Sequence, residues 1–162
     1  MLRVVDITEI SAVVAAAGVL IGVIFTVLQL RDLVKTRQSD LLMRMHLAFS
    51  SREYCDAALK MLSTDYKDYD DFLKKFGHPL AAGPVQTEFL MLGMFFEGIG
   101  ILTKKKLVDV DLVTKLFGTD MFWEKWKPLA ESLRKQMNNP HVAEWLEYLS
   151  NETKKAYASK TA

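Results

Sequence analysis

The sequence predicts an all-α fold, in which one N-terminal transmembrane helix continues into a cytoplasmic helical bundle. Residues Ile10 to Leu30 form a 21-residue run without a charged side chain. Later apolar residues recur at spacings of three and four, which is the period of an amphipathic helix. No stretch of the chain alternates apolar and polar residues as a half-buried strand does, so a sheet is not expected.

Composition narrows the class of protein. The 162 residues are 50% hydrophobic and 25% charged, a balance that excludes a disordered chain. The 21 basic and 20 acidic residues give a formal charge of +1, which argues against nucleic acid as a partner. The single cysteine, Cys55, excludes a disulfide-stapled domain, and we expect it to be a buried structural thiol.

The run from Ile10 to Leu30 is long enough to cross a membrane, because about 20 helical residues span a hydrocarbon core of roughly 30 Å. A signal peptide fits less well, since Asp6 and Glu9 precede the run and no small-residue cleavage site follows it. A buried core helix is the other alternative, and 21 uncharged residues are long for one.

Basic residues indicate the orientation of this helix. One arginine precedes the run, whereas Arg31, Lys35, Arg37 and Arg44 follow it. The positive-inside rule therefore predicts a single pass through the inner (plasma) membrane, with the N-terminus outside and the C-terminal domain in the cytoplasm. Lys35, Arg37 and Arg44 would then contact anionic lipid at the inner face of the bilayer.

Small residues form a stripe along one face of the predicted transmembrane helix. Ser11, Ala15, Gly18, Gly22 and Thr26 follow one another at spacings of four, three, four and four. Such a stripe lets two helix backbones approach closely within lipid, as in the GxxxG motif. The sequence therefore predicts that the chain associates with itself through this face as a homo-oligomer.

The predicted segments follow from breaks in the helical pattern. Ser50 to Glu53 matches a capping box, which indicates a new helix. One or two short helices follow, and the glycines and prolines between Gly77 and Pro84 indicate a linker. The predicted order is an extracytoplasmic tail over 1–9, a transmembrane helix over 10–30, a juxtamembrane helix over 31–50, a cytoplasmic helical domain over 51–152 and a polar tail over 153–162.

A helix from Pro84 to about Thr103 is apolar nearly all round, which is typical of the centre of a core or of a second membrane segment. If the helix were a second membrane segment, Glu97 would lie deep in the lipid, where an acid costs roughly 2.5–3.5 kcal/mol. The pattern favours a core helix, with a re-entrant segment as the alternative.

Three more helices are predicted after this one. The first runs from Val108 to Phe117 with Asp109 or Asp111 as its cap, the second is capped by Thr119 or Asp120, and the third starts at Asn139–Pro140. Pro128 should kink or restart the second.

The stretch from Phe95 to Arg134 carries a resemblance. The runs FFEGIGILTKKKLVDVDLVTKLFG and WEKWKPLAESLR are similar to those of an uncharacterised family of small prokaryotic membrane proteins. The resemblance implies one N-terminal span and a cytoplasmic all-helical domain, and brings no catalytic residues. The same stretch also predicts that Glu97 pairs with Arg134 in the core.

The sequence contains no recognisable catalytic or cofactor-binding motif, so we expect neither an enzyme nor a cofactor. His46, His78 and His141 are too far apart for a zinc motif, so we expect no bound metal. Gly-rich phosphate loops and a nucleophile elbow are absent from the sequence. The aromatic pairs Phe95–Phe96 and Trp123–Trp126 are interpreted as core rather than as the walls of a ligand pocket.

Three functional hypotheses remain. The favoured one is a membrane-anchored, self-associating protein with an interaction or regulatory role at the inner face of the membrane, where the helical domain docks a cytoplasmic protein. The second is a small homo-oligomeric cation channel, with Asp6 and Glu9 as acidic rings at the outer mouth of a pore formed by the N-terminal spans. The third is an accessory subunit of a larger membrane complex.

Overall fold

The protein is all-helical, as predicted. The structure, a computed structural model, describes the backbone of residues 7–161 and the side chains of residue 7 and of residues 10–158. This part of the chain contains no strand. Its seven helices are α1 (Ile7–Phe49), α2 (Arg52–Ser63), α3 (Tyr69–Phe76), α4 (Pro84–Lys104), α5 (Val110–Leu116), α6 (Thr119–Gln136) and α7 (Glu144–Thr161).

The chain divides into two compact units, one up to Asp40 and one from Leu41 onward. The described part of the first unit is α1 as far as Asp40, and none of its described side chains is buried. Mean hydropathy reaches 2.6 in its most apolar window, and none of that window is buried. The N-terminal helix is therefore long and apolar enough to span a membrane.

The second unit, which we call the helical unit, is built around α4. This helix contacts α2, α6 and α7. Its Phe89, Leu92, Phe96 and Ile99 are at most 1% exposed. Although α4 also has the length and hydropathy of a membrane span, the structure places it in the centre of the core, as the favoured interpretation predicts.

Two glycines let α4 approach its neighbours closely. A side-chain carbon at Gly93 would lie 2.9 Å from the ring of Trp126, and one at Gly100 would lie 2.8 Å from Cβ of Trp145. The indole N–H of Trp126 also donates to the carbonyl of Phe89 at 3.0 Å. The contacts of α4 with α6 and α7 therefore require residues without a side chain at these two positions.

Several helix boundaries differ from the prediction. Ser51, rather than Ser50, is the N-cap of α2, and its hydroxyl accepts from the N–H of Tyr54. Pro84 is the first residue of α4, and Asp109 caps α5, both as predicted. Pro128 does not restart α6, which continues through it to Gln136.

The last two helices show the largest differences. Gly118, rather than Thr119 or Asp120, is the N-cap of α6, and glycine has no side chain to cap the helix. The hydroxyl of Thr119 is buried and shares a hydrogen bond with Thr153 at 2.7 Å. Helix α7 begins at Glu144, not at Asn139–Pro140, and it continues to Thr161. The residues after Asn151 continue α7 in the described part of the chain, and a separate polar tail over 153–162 stays a prediction.

Candidate functional site

A small apolar pocket opens in the helical unit between α4, α6 and the connection from α6 to α7. Its volume is about 140 Å³. We call it the Glu97 pocket, because Glu97 is the one ionisable residue among its lining residues. The lining is Leu80, Leu90, Gly93, Met94, Glu97, Trp126, Leu133, Val142 and Ala143.

Helix periodicity explains how α4 contributes to the pocket. Gly93 and Met94 each lie three or four residues from both Leu90 and Glu97, so the four residues share one face of the helix. Gly93 and Trp126 lie buried on the inner side, whereas Leu90 and Met94 are 45% and 67% exposed. The pocket therefore has a buried inner wall and an exposed apolar rim.

The Glu97 carboxylate holds the start of α7. Its Oε1 accepts hydrogen bonds from the backbone N–H groups of Trp145 at 2.9 Å and Leu146 at 2.8 Å. These N–H groups lie in the first turn of α7, where a helix has no internal acceptors for them. A carboxylate is also favoured at this end by the helix dipole. Glu97 therefore caps a helix distant in sequence.

Arg134 binds the connection between α6 and α7, just before the helix that Glu97 caps. Its Nε donates to the carbonyl of Val142 at 2.9 Å. Its Nη2 lies 2.8 Å from the Glu147 carboxylate, in an ion pair aligned too poorly to be a hydrogen bond. The guanidinium also lies over the ring of Trp123, 5.8 Å from its centre.

Glu97 and Arg134 therefore do not form the predicted ion pair. Glu97 binds N–H groups of α7, and Arg134 binds the connection and Glu147. Because α7 begins only at Glu144, its first N–H groups face α4 and Glu97 satisfies them. Arg134 is instead engaged by the connection and by Glu147 on α7. Neither the late start of α7 nor the carbonyl of Val142 can be read from side-chain spacing alone.

The connection itself contains strained backbone. Asn138 and Ala143 have φ values of 47° and 55°, in the left-handed region. Asparagine tolerates this conformation, whereas alanine there costs roughly 1–2 kcal/mol. The carboxylate of Glu144 contacts Nδ1 of His141. Ala143 therefore lines the pocket in a conformation that the surrounding contacts hold in place.

Burial raises the pKa of the Glu97 carboxyl above its ordinary value. The hydrogen bonds from Leu146 and Trp145 oppose this shift, nearby Glu144 adds to it, and the charge of Arg134 opposes it. Burial outweighs the groups that favour the charged form, so the proton is held more tightly than on an exposed glutamate.

The small-residue stripe on α1 lies on the surface of the first unit. Ser11, Ala15, Gly18, Gly22 and Thr26 are all exposed. A side-chain carbon at Gly18 or Gly22 would meet no other described atom within 4 Å. The Thr26 hydroxyl donates to the carbonyl of Gly22 at 2.8 Å, so it is satisfied without water or a partner helix.

The remaining predicted residues are spread along the chain. Lys35 and Arg37 lie on the surface of the first unit, and Arg44 on that of the helical unit. Asp6 lies outside the described residues, as does the side chain of Glu9, so the predicted pore mouth stays a prediction.

Cys55 is exposed rather than buried, with its sulfur 3.8 Å from the carbonyl of Phe49. Among the described residues, no group of three or more histidine, cysteine, aspartate or glutamate residues is placed to hold a metal ion.

The pocket itself was missed by sequence reasoning. Phe96, Trp123 and Trp126 are core residues, as predicted, whereas Phe95 is only partly buried against the core. Trp126 also lines the pocket. Val142 and Ala143 carry no recognisable motif. The Asn138–Pro140 segment does indicate a turn, but it does not indicate that the residues after it line a pocket.

The chain belongs to a family of unknown function. The family model described as Domain of unknown function (DUF4760) matches residues 12–153. That match covers most of α1 and nearly all of the helical unit. No curated protein and no solved structure matches the chain.

Proposed function

We propose that this member of the DUF4760 family is a membrane-anchored, self-associating protein whose helical unit has an interaction or regulatory role at the inner face of the membrane. The observation that carries the proposal is the exposure of α1. Its Val14, Leu20 and Phe25 are 65%, 65% and 61% exposed. Each Å² of apolar surface removed from water contributes about 25 cal/mol, so this helix requires lipid or another helix around it.

Flanking charge supports a single pass with the C-terminal side in the cytoplasm of the cell. Arg31, Lys35 and Arg37 follow the apolar run directly, and exposed cations beside a span favour the cytoplasmic side. Exposed Lys35 and Arg37 are also suited to contact anionic lipid headgroups, each at about 1 kcal/mol.

Self-association is supported by the space around the small-residue stripe. Gly18 and Gly22 leave the backbone of α1 open to another helix, and close backbone approach is what drives helix pairing in lipid. Because Thr26 bonds to its own helix, it requires no water-filled lumen. The stripe therefore fits a dry helix contact better than the wall of a pore.

The interaction role is supported by apolar surface on the helical unit. Leu80, Leu90 and Met94 are 48%, 45% and 67% exposed at the rim of the Glu97 pocket. A neighbouring groove shares Leu90 and Met94 with the pocket and is also lined by Tyr54 and Phe95. Methionine adapts its shape readily, which suits a surface that binds a protein. A cytoplasmic protein is the partner that we expect here.

The test is the native mass of the full-length protein in nanodiscs. We expect a dimer that Gly18→Leu and Gly22→Leu convert to a monomer, because leucine on the stripe keeps the backbones apart. Ala16→Leu is the matched control, since it adds a leucine to α1 away from the stripe and should leave the dimer intact.

Other outcomes would redirect the proposal. An assembly unchanged by both glycine substitutions would show that the stripe is not the interface. A ring of four or more copies would favour the cation channel, for which Glu9→Lys should alter ion selectivity. A wild-type monomer would favour an accessory subunit of a larger membrane complex.

A further inference from the structure

The size of the Glu97 pocket limits what it can hold. Its volume is about 140 Å³, and an apolar cavity of about 150 Å³ in another protein holds one benzene molecule. The rings and chains of Trp126, Leu133 and Val142 supply an apolar wall for such a group. The pocket therefore fits one six-membered ring or an aliphatic group of similar bulk.

Charge limits the ligand further. An ionised carboxylate has about four acceptor positions, and the N–H groups of Trp145 and Leu146 bind one of the two oxygens of Glu97. Glu144 adds a second negative charge nearby. The positive charge of Arg134 is already engaged by Glu147 and the carbonyl of Val142. The site is therefore suited to a cation and unsuited to a second carboxylate.

We propose that the Glu97 pocket binds a small apolar amine, with its ring or aliphatic group against Trp126 and its ammonium group at the Glu97 carboxylate. All the lining residues belong to the helical unit, so binding does not require self-association of α1. Such a ligand would also contact Val142 and Ala143, and its binding would bias the strained connection that Glu97 and Arg134 hold. If the protein is regulatory, as proposed above, a ligand at this site could control its activity.

The test uses three probes of nearly equal size that differ in charge: benzylamine, benzyl alcohol and benzoate. Each is titrated into full-length protein in nanodiscs of neutral lipid, with ¹³C-labelled methionine methyl groups as the reporters. Met94 lines the pocket, whereas exposed Met121 does not and serves as the control. Met94→Leu assigns the Met94 signal.

We expect a saturable shift of the Met94 methyl signal and no comparable shift at Met121. Benzylamine should bind about tenfold more tightly than benzyl alcohol, because both can donate a hydrogen bond to the carboxylate but only the ammonium group adds the attraction between opposite charges. Benzoate should bind most weakly. Equal shifts at the two methyl groups would show partition into the bilayer alone, and benzoate binding as tightly as benzylamine would overturn the proposal.

Two variants separate the charge from the cavity. Glu97→Gln keeps an oxygen that can cap α7 and should bring benzylamine to the affinity of benzyl alcohol. Ala143→Leu fills the pocket and should abolish binding of all three probes. Tryptophan fluorescence of each variant checks that the helical unit is folded. A preference for benzylamine that survives in folded Glu97→Gln, or probe binding that survives in folded Ala143→Leu, contradicts the proposal.

Discussion

Helices α1 and α4 have the same general composition and opposite surroundings. Both are long, apolar and interrupted by glycine, and both have the length and hydropathy of a membrane span. None of the most apolar window of α1 is buried by protein, whereas 39% of that of α4 is. The apolarity of a helix therefore indicates only that it is buried away from water. Whether protein or lipid buries it depends on the rest of the chain.

The glycines make the same distinction at the level of single residues. Gly93 and Gly100 of α4 lie against Trp126 and Trp145, which occupy the space that a side chain would need. Gly18 and Gly22 of α1 face open space. Gly93 and Gly100 are thus already used for packing inside the chain, whereas Gly18 and Gly22 are not.

The largest expected effect tests this contrast between a helix buried by protein and one that protein leaves exposed. Phe96→Ala should lower the free energy of unfolding of the helical unit by about 3–5 kcal/mol, because it leaves a cavity where Phe96 is fully buried. Phe25→Ala should change it by less than about 0.5 kcal/mol, since Phe25 is 61% exposed.

The measurement is urea unfolding of the full-length protein in nanodiscs, followed by tryptophan fluorescence. The protein has three tryptophans, Trp123, Trp126 and Trp145, and all lie in the helical unit. The signal therefore reports that unit alone. Similar losses for the two phenylalanine variants would mean that α1 contributes to the same core, and the comparison would fail.

A smaller effect distinguishes two glycines within α4. Gly100→Ala should cost about 1–3 kcal/mol, because the new methyl group meets the backbone and Cβ of Trp145. Gly98→Ala should raise stability by up to about 1 kcal/mol, because a methyl group there has open space and alanine favours a helix. The same unfolding assay reads both, and equal changes would show that α4 and α7 do not approach closely at Gly100.

Sequence reasoning was sufficient where one local pattern determines the structure. The uncharged run predicts the apolar helix, Pro84 predicts the start of α4, and the acidic Glu97 within the apolar α4 favours its place in the core. It was insufficient where a distant residue satisfies a backbone group. Thr119 bonds Thr153 instead of capping its own helix, and Glu97 caps α7 across 48 and 49 residues instead of pairing with Arg134.

The smallest expected effect concerns Glu97, the partly buried acid of α4, which has no counterpart in the uncharged run of α1. Because burial raises the pKa of Glu97, the folded state binds more protons than the unfolded state between the ordinary pKa and the raised one. The free energy of unfolding should therefore fall as pH rises through that interval. Glu97→Gln cannot titrate and should lack this decline.

The difference between wild type and Glu97→Gln isolates this contribution, because other carboxyls act in the opposite direction in both proteins. Asp71 and Glu124 have lowered pKa values, caused mainly by their hydrogen bonds with Lys75 and Lys154, and their stabilisation is lost as pH falls. Urea unfolding from about pH 4 to pH 8 should show wild type losing stability relative to the variant as pH rises. The opposite slope would mean that the N–H groups of α7 and Arg134 outweigh burial, and Glu97 would then be a tightly paired structural charge rather than a carboxylate able to receive an amine.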